Sequence, residues 1–246
     1  MTCRLACLAF LLLQGIASAQ DAAQPGPPPP PPRHEGSAEF AFVSTTGNAD
    51  TQTLGLAGEY FFRPDPWTFE AKAGYVRNKA EEELSAESFR SRFRAARKLT
   101  ERLSVFGSWD YLHDAFAGID HRNVVAAGVS YQLIAPSPHE LIVDGGLGYT
   151  NEQRLVGEDI STAVALAAAR YKYKLSETAE ISEESGLEFS LSDGDAWRWN
   201  NIASVSAKLT TLLSLKLSNT IRYAHAPAPG FETTDTVTAV ALVAKF

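Results

Sequence analysis

From residue 35 to the end of the chain, apolar and polar side chains alternate along long segments separated by short polar connections. In the first segment Phe40 and Phe42 alternate with Glu39 and Ala41, and a second alternating segment follows a turn at residues 47–50. Alternation with a period of two is typical of strands that present one apolar face. This pattern predicts an all-β fold whose two sheet faces meet different surroundings.

Twelve alternating segments are present. They cover approximately residues 35–46, 51–63, 66–78, 86–98, 102–114, 121–134, 140–152, 160–174, 178–191, 197–209, 212–224 and 233–246. Each is longer than the usual globular strand of about 5 to 6 residues and is long enough to cross a bilayer at a tilt. We therefore predict an antiparallel transmembrane β-barrel of about 12 strands over residues 36–246.

The connections between these segments alternate in kind. Apart from the first, one set is longer and more polar: residues 47–50, 79–85, 115–120, 153–159, 192–196 and 225–232. The other set consists of the short stretches PDP, LTE, APSPH, SET and TL. Outer-membrane barrels have long extracellular loops and short periplasmic turns, and an even strand count returns both ends of the barrel to one side. The pattern predicts that both ends lie in the periplasm.

Aromatic residues on the apolar faces gather near the ends of the predicted strands, as expected for the two interfaces of a membrane. The predicted extracellular belt contains Tyr75, Trp109, Tyr111, Tyr149, Trp197, Trp199 and Tyr223. The predicted periplasmic belt contains Tyr60, Phe62, Trp67, Tyr131, Tyr171, Tyr173 and Phe246. In a soluble sandwich the aromatics should instead concentrate at mid-strand in the core.

The first residues, MTCRLACLAFLLLQGIASAQ, combine an early positive charge, an apolar run and small residues at Ala17 and Ala19. They predict a secretory signal peptide over residues 1–19. The proline-rich stretch after it, residues 20–35, favours an extended polyproline II spacer. Both cysteines, Cys3 and Cys7, lie inside the predicted signal, so the barrel must be stable without disulfides.

The balance of charge argues against one broad class of partner. Removing Arg4 with the signal leaves 21 basic and 29 acidic side chains, a net charge of −8. Nucleic-acid binding needs net basic surface, so we predict none. The expected surroundings are outer-membrane lipid and lipopolysaccharide, and we assign no cofactor, metal or catalytic residue.

The stretch FRSRFRAARK, residues 89–98, fits a helix or a strand by its local periodicity alone. Placed in a barrel, it directs Phe89 and Phe93 to lipid and its arginines to the lumen. A second stretch, ARYKYKL, alternates in the same way with outward Tyr171 and Tyr173. The predicted lumenal bases are Arg90, Arg92, Arg94, Arg170, Lys172 and Lys174.

Acidic residues on neighbouring strands are the predicted partners of these bases: Glu70, Asp110, Glu180, Glu184 and Glu188. A three-residue turn at 176–178 sets Lys174 opposite Glu180 and Arg170 opposite Glu184. Two interpretations follow. Either the charges neutralise one another and fill a narrow interior, or Arg90, Arg92 and Arg94 are only partly neutralised and form a track for anionic solutes.

One strand fits the pattern poorly. Its outward face would carry Glu183 and Ser185 beside Leu187 and Phe189, and a carboxylate that faces lipid is costly. Either a bulge near Ser185 changes the register or the assignment of the face is wrong there.

Three stretches, FVSTTGNADTQTLGLAGEY, LTERLSVFGSWDYLHDAFAGIDHRN and TDTVTAVALVAKF, together resemble the family of salt-induced outer membrane proteins, a domain of unknown function. The resemblance covers nearly all of residues 36–246. It implies an outer-membrane barrel of Gram-negative bacteria with an association with salt, and it supplies no ligand or catalytic residue. The last strand, with its terminal Phe246, also resembles the strand that the outer-membrane assembly machinery recognises.

Competing functions follow from other features. Four residues, His113, Asp114, Asp120 and His121, gather near one predicted loop, where His and Asp pairs are able to activate water or bind a metal. They would support a hydrolase at the rim of the barrel. A closed barrel that serves envelope integrity or anchors a partner is a further alternative to a pore, and the acidic stretch KAEEELSAE is suited to bridging divalent ions to lipopolysaccharide.

Overall fold

The computed structural model describes residues 31–45, 51–80 and 83–246. The strands are β1 (His34–Thr45), β2 (Thr51–Phe62), β3 (Trp67–Ala80), β4 (Glu83–Lys98), β5 (Leu103–Asp114), β6 (Ile119–Ile134), β7 (His139–Arg154), β8 (Ile160–Lys174), β9 (Ala179–Ser190), β10 (Trp197–Lys208), β11 (Leu213–Ala224) and β12 (Thr234–Lys245). A 3-10 turn, Ala115–Ala117, precedes β6. The described residues contain no helix that is long and apolar enough to cross a membrane.

Each strand pairs in antiparallel fashion with its neighbours in sequence, and β1 pairs with β12 to close the barrel. The prediction of a 12-stranded antiparallel barrel is confirmed. Because the barrel is closed, its strands have paired edges. The β1–β12 seam is short, and its pairs run only from Ser37 opposite Lys245 to Phe40 opposite Leu242. The ring of Phe246 covers Gly36 there, where a Cβ atom would lie 2.4 Å from Cε2 of the ring.

We call the end of the barrel where β1 begins and β12 ends the terminal end, and the opposite end the loop end. Some strands at the loop end are longer than predicted. β3 continues to Ala80, β4 begins at Glu83 and β7 continues to Arg154, so the connections predicted at residues 79–85 and 153–159 are too long. The apolar pattern stops at these positions, but backbone pairing continues, because ladder hydrogen bonds do not depend on apolar side chains. The turn predicted at residues 47–50 lies outside the described residues.

The outer face of the barrel carries large apolar side chains that no other described residue covers. Phe42, Val125 and Leu147 are 55%, 59% and 64% exposed. Contiguous apolar surface of this kind is not stable in water and fits contact with hydrocarbon. The alternate positions face the lumen, where Val124, Ala126 and Val164 are buried among polar side chains.

Glu183 lies on the outer face without any bulge. It is opposite Tyr171 in β8 and Ala203 in β10, and neither pairing shifts register near Ser185. Both alternatives offered for this strand are therefore wrong, because there is no bulge near Ser185 and the face was assigned correctly. The indole Nε1 of Trp199 donates a hydrogen bond of 2.9 Å to Ser185 Oγ, which satisfies that hydroxyl on the outer face. Glu183 is directly opposite Tyr171, near the terminal end of the barrel. From there its carboxylate is able to reach the polar interface of the membrane.

The orientation of the barrel can be tested by labelling. We expect a cysteine that replaces exposed Glu158, at the loop end, to react with a membrane-impermeant maleimide on intact cells. A cysteine that replaces exposed Ser137, at the terminal end, should react only after the outer membrane is permeabilised. Labelling of position 137 alone on intact cells would reverse the predicted orientation.

Candidate functional site in the charged lumen

Strand alternation places the arginines of β4 inside the barrel. Phe89 and Phe93 face outward and are 39% and 53% exposed, so Arg90, Arg92 and Arg94 between and beside them point into the lumen. The three arginines have different surroundings. Arg92 Nε contacts Asp110 Oδ1 of the neighbouring strand at 2.5 Å.

A buried cluster surrounds Asp144 of β7, whose side chain is 7% exposed. Arg94 and Arg170 contact its Oδ2 atom at 2.7 Å and 3.0 Å, and Ser130 Oγ donates a hydrogen bond to Oδ1. The Arg94 guanidinium also lies 3.8 Å from the ring centroid of Phe106, an arrangement that stabilises a cation. Two cations therefore share one carboxylate in this cluster.

Lys72 makes contacts that cross the lumen. Its ammonium lies 3.2 Å from Glu70 of its own strand, 3.8 Å from Glu59 of β2 and 3.5 Å from Glu184 of β9. Strands β3 and β9 lie on opposite sides of the ring of twelve strands. The ion pair between Lys72 and Glu184 thus spans the interior.

Closer to the loop end, Glu152 of β7 is held by three arginines, and its side chain is 1% exposed. The Nε atoms of Arg122 and Arg154 lie 3.1 Å and 2.8 Å from its carboxylate oxygens, and Arg198 NH2 lies at 2.8 Å. Arg122 also contacts Glu188 at 2.5 Å. Burial excludes water from this group, so its three cationic partners are what stabilise its charge.

A second ion pair spans the lumen near the loop end. Arg222 NH1 of β11 contacts Asp114 Oδ2 of β5 at 2.7 Å, and these strands are also opposite one another. The buried Nε atom of Arg222 has no hydrogen-bond partner in the described part of the chain. Arg90 makes no ion pair with any described residue, although Arg222 and Asp114 are close enough to affect it electrostatically.

Residues 225–233, which we call the capping loop, close the loop end. Arg154 donates hydrogen bonds to the carbonyl oxygens of Ala226 and Pro227 at 2.9 Å and 3.5 Å. Ala228 is 3% exposed. A Cβ atom at Gly118 would lie 2.7 Å from the Phe231 ring, so this glycine, with φ +73°, allows the connection between β5 and β6 to pack against the capping loop.

The structure places the predicted site residues in the lumen but pairs several of them differently. Arg170 is opposite Glu184 in the register, yet its guanidinium contacts Asp144, while Glu184 contacts Lys72. Glu70 is opposite Arg94 and contacts Lys72 instead. Glu188 contacts Arg122. Lys174 is opposite Glu180, but neither these two residues nor Lys172 form an ion pair among the described residues.

The central acceptors, Asp144 and Glu152, and their partners Arg122, Arg154 and Arg198 are not among the residues predicted from the sequence. Alternation with outward Leu147 and Tyr149 already implied that Asp144 and Glu152 face inward. Register also sets Arg122 directly opposite Glu152, so this pair follows from neighbouring strands alone. The contact of Glu152 with Arg198 does not, because strands β7 and β10 are not neighbours.

The predicted aromatic residues lie on the outer face, most of them toward strand ends but Trp109 at the middle of β5, and several form stacked pairs. Phe93 stacks on Trp109 with 5.8 Å between ring centroids, and His139 stacks on Tyr173 with 4.3 Å. Trp197 and Tyr223 are 4.8 Å apart at the loop end. Such cross-strand aromatic pairs contribute about 0.2–1 kcal/mol each.

The four residues proposed for a rim hydrolase do not assemble as one group. Asp114 faces the lumen and pairs with Arg222, whereas His113, Asp120 and His121 lie together on the outer side of the loop end. The predicted set of four is therefore wrong as a single constellation.

The model of a protein family matches residues 38–246 of this barrel. The chain belongs to the DUF481 family. The family is described as a protein of unknown function, so the match places no role on any lumenal residue, and the association with salt stays a prediction. A search of curated proteins found no similar sequence.

Solved structures show the same architecture. The NanC porin is 11% identical, with a TM-score of 0.51 over 85% of this chain and 98% of that chain. The translocator domain of the autotransporter NalP from Neisseria meningitidis gives 12% identity and a TM-score of 0.43 over 87% and 86%. The KdgM porin is 8% identical, with a TM-score of 0.42 over 87% of this chain and 98% of that chain. The first likeness shows that the fold is that of an outer-membrane β-barrel, and the other two add nothing to that assignment.

The Glu152 cluster should make a large contribution to stability. Replacing Glu152 by Gln leaves three arginines with one fewer carboxylate in a buried site, which should lower the free energy of unfolding by about 3–5 kcal/mol. Urea unfolding in lipid vesicles, followed by tryptophan fluorescence, measures this change. The matched control is Glu158→Gln, at an exposed position of the connection that follows, and equal stability of the two variants would contradict the role of the cluster.

Proposed function

We propose that this protein is a porin-like barrel of the Gram-negative outer membrane that provides a narrow passage for small ions and is closed in the conformation described. The observation that carries this proposal is the lumen itself: a 12-stranded barrel crossed by single ion pairs between opposite walls. Residues 1–19 would act as the cleaved signal peptide and residues 20–35 as a spacer. Lipid and lipopolysaccharide would surround the barrel, and the last strand would be read by the assembly machinery.

The width of the barrel favours a passage over a packed core. Eight strands enclose an interior that side chains fill, and the diameter grows with strand number. Here many inward positions carry small residues, and a Cβ atom added at Gly186 would meet no atom within 4 Å. Long charged side chains span the space that these small residues leave.

Water has access to part of this interior. The side chains of Arg92, Glu59 and Glu184 are 43%, 41% and 38% exposed although they face the lumen. A cavity of about 190 Å³ opens near the terminal end and extends from Lys98 and Arg102 to Ser130. The lumen is thus hydrated from this end up to the level of the Asp144 cluster.

The loop end is the closed end. The capping loop and the buried Glu152 cluster lie there, and Arg154 connects them through its hydrogen bonds to Ala226 and Pro227 and its contact with Glu152. Movement of one loop and rotation of the Asp114 and Arg222 side chains would open this end. A gate of this kind requires no change in the strands.

Arg90 gives the passage a preference for anions. Arg92 and Arg94 are each paired with a carboxylate, so of the predicted track of three partly neutralised arginines only Arg90 has no ion pair with a described residue. Arg90 lies beside Gly74, with its Cγ 3.4 Å from the position of an added Cβ, and makes no ion pair with a described residue. A fixed positive charge in a narrow lumen lowers the entry energy of anions and raises that of cations.

Release of the capping loop should open the channel. We expect Arg154→Ala, which removes both hydrogen bonds to the loop, to raise the open fraction in single-channel recordings of the purified protein. Arg63→Ala, which removes an arginine near the terminal end that contacts Glu35, is the matched control and should leave the open fraction unchanged. If wild type and Arg154→Ala both fail to conduct, the protein is a closed barrel and the alternative of a structural or anchoring role in the envelope takes its place.

The preference for anions is tested at Arg90. Arg90→Gln should shift the reversal potential in a KCl gradient toward that of a cation-selective pore, because a lumenal cation without an ion-pair partner among the described residues is lost. Arg77→Gln removes one positive charge from the outer face of β3 and should leave the reversal potential unchanged. An equal shift in both variants would show that total charge, rather than Arg90, sets the selectivity.

A further inference from the structure

Three side chains with metal-binding atoms meet outside the lumen at the loop end. One candidate ligand atom from each of His113, Asp120 and His121 lies within 4.8 Å of the others. His121 Nε2 is 3.6 Å from Asp120 Oδ2. A nitrogen ligand and an oxygen ligand that each lie about 2.0–2.2 Å from a tetrahedral ion are about 3.4 Å from each other.

Irregular strand pairing brings these residues together. In a regular strand the consecutive residues Asp120 and His121 would point to opposite faces. The register between β5 and β6 shifts between Leu112 and Asp114, and that between β6 and β7 shifts between Ile119 and His121. Such irregularities redirect side chains, and they are common beside functional sites. Both shifts fall on the residues of this cluster.

Each histidine ring has a hydrogen-bond partner at its Nδ1 atom. Tyr111 Oη lies 2.8 Å from His121 Nδ1, and the backbone carbonyl oxygen of Asp120 lies 2.5 Å from His113 Nδ1. A carbonyl oxygen accepts a hydrogen bond from Nδ1–H, and a tyrosine hydroxyl oxygen is able to accept one too. Protonation at Nδ1 leaves the lone pair on Nε2, which is how histidines are oriented in metal sites.

We infer that His113, Asp120 and His121 bind one divalent ion of the zinc class. Two imidazoles and one carboxylate suit Zn²⁺ and its neighbours in the transition series, whereas Mg²⁺ and Ca²⁺ prefer oxygen ligands. Three protein ligands leave a fourth position for water or another oxygen ligand. The site does not depend on the proposed passage, because it lies on the outer side of the barrel.

The position of the site gives the ion a structural consequence. His113 is the next-to-last residue of β5 and Asp120 is the second residue of β6, so one ion would hold both strands together where the pairing of this hairpin is irregular. Gly118 at the tip of the same hairpin accepts a hydrogen bond of 3.0 Å from Leu155 N and packs on the capping loop. Metal binding should therefore increase the resistance of the loop end to unfolding.

Calorimetric titration with ZnCl₂ tests the inference. The full-length protein is extracted from membranes in detergent, carries no histidine tag and is first treated with a chelator. We expect one Zn²⁺ per chain, no heat of binding with MgCl₂ or CaCl₂, and a higher unfolding temperature in the presence of zinc. Asp120→Asn and His121→Ala should each weaken zinc binding at least tenfold and remove the thermal shift.

The matched control is His139→Ala. His139 also pairs its Nδ1 atom with a tyrosine hydroxyl, Tyr171 Oη at 2.6 Å, but it belongs to no metal-binding group of the described residues. This variant should bind zinc as wild type does. The shift in gel mobility on heating shows that each variant is folded, and His113→Gln replaces any variant that is not. Absence of binding by wild type, or equal binding by all folded variants, would overturn the inference.

Discussion

Closure of the backbone hydrogen-bond ring is the constraint on which the rest of this structure depends. In hydrocarbon no water is present to satisfy an unpaired N–H or C=O group, so a sheet crosses a membrane only when its edges meet. Eleven of the strand contacts join neighbours in sequence, and the contact between β1 and β12 completes the ring. This contact is short, and the backbone of Gly36 and that of Phe246 add two hydrogen bonds to it, at 2.8 Å and 3.0 Å. Stability at the seam thus depends on the last residue of the chain.

Once the ring is closed, alternation divides all side chains between lipid and lumen. The outward set is apolar with aromatic residues near the strand ends, and it tolerates few exceptions, such as Glu183. The inward set carries charge of both signs. Because the interior is only partly hydrated, most of these charges are stable only where an opposite charge is within reach. The side chains of Asp144 and Glu152 are examples, and each of them contacts more than one arginine.

The same electrostatic requirement links the lumen to its mouth. Arg154 neutralises Glu152 and at the same time holds the capping loop through two backbone carbonyls. A solute that competed for Arg154 would weaken its contact with Glu152 and its hold on the capping loop. The β5–β6 hairpin supports the other side of the capping loop, so a metal ion bound to that hairpin would act on the same closed end from outside the lumen.

The sequence by itself determined the fold and the face of almost every residue. Twelve alternating segments predicted twelve strands, and their bounds differ from the observed ones by a few residues at most, because alternation is a local property that each strand displays along its length. The inward position of Arg90, Arg92 and Arg94 followed from outward Phe89 and Phe93. Local pattern also located the histidine and aspartate cluster, although it wrongly included Asp114.

Tertiary structure alone decided which charges meet beyond neighbouring strands. The contacts of Lys72 with Glu184 and of Arg222 with Asp114 join opposite walls of the barrel, and the contact of Glu152 with Arg198 joins two strands that others separate. Register predicts only neighbours, whereas arginine and lysine side chains are long enough to bypass a neighbour and reach across a curved wall. The closed loop end, the lone guanidinium of Arg90 and the irregular pairing around Asp120 depend on the curvature of the closed sheet, which no short stretch of sequence encodes.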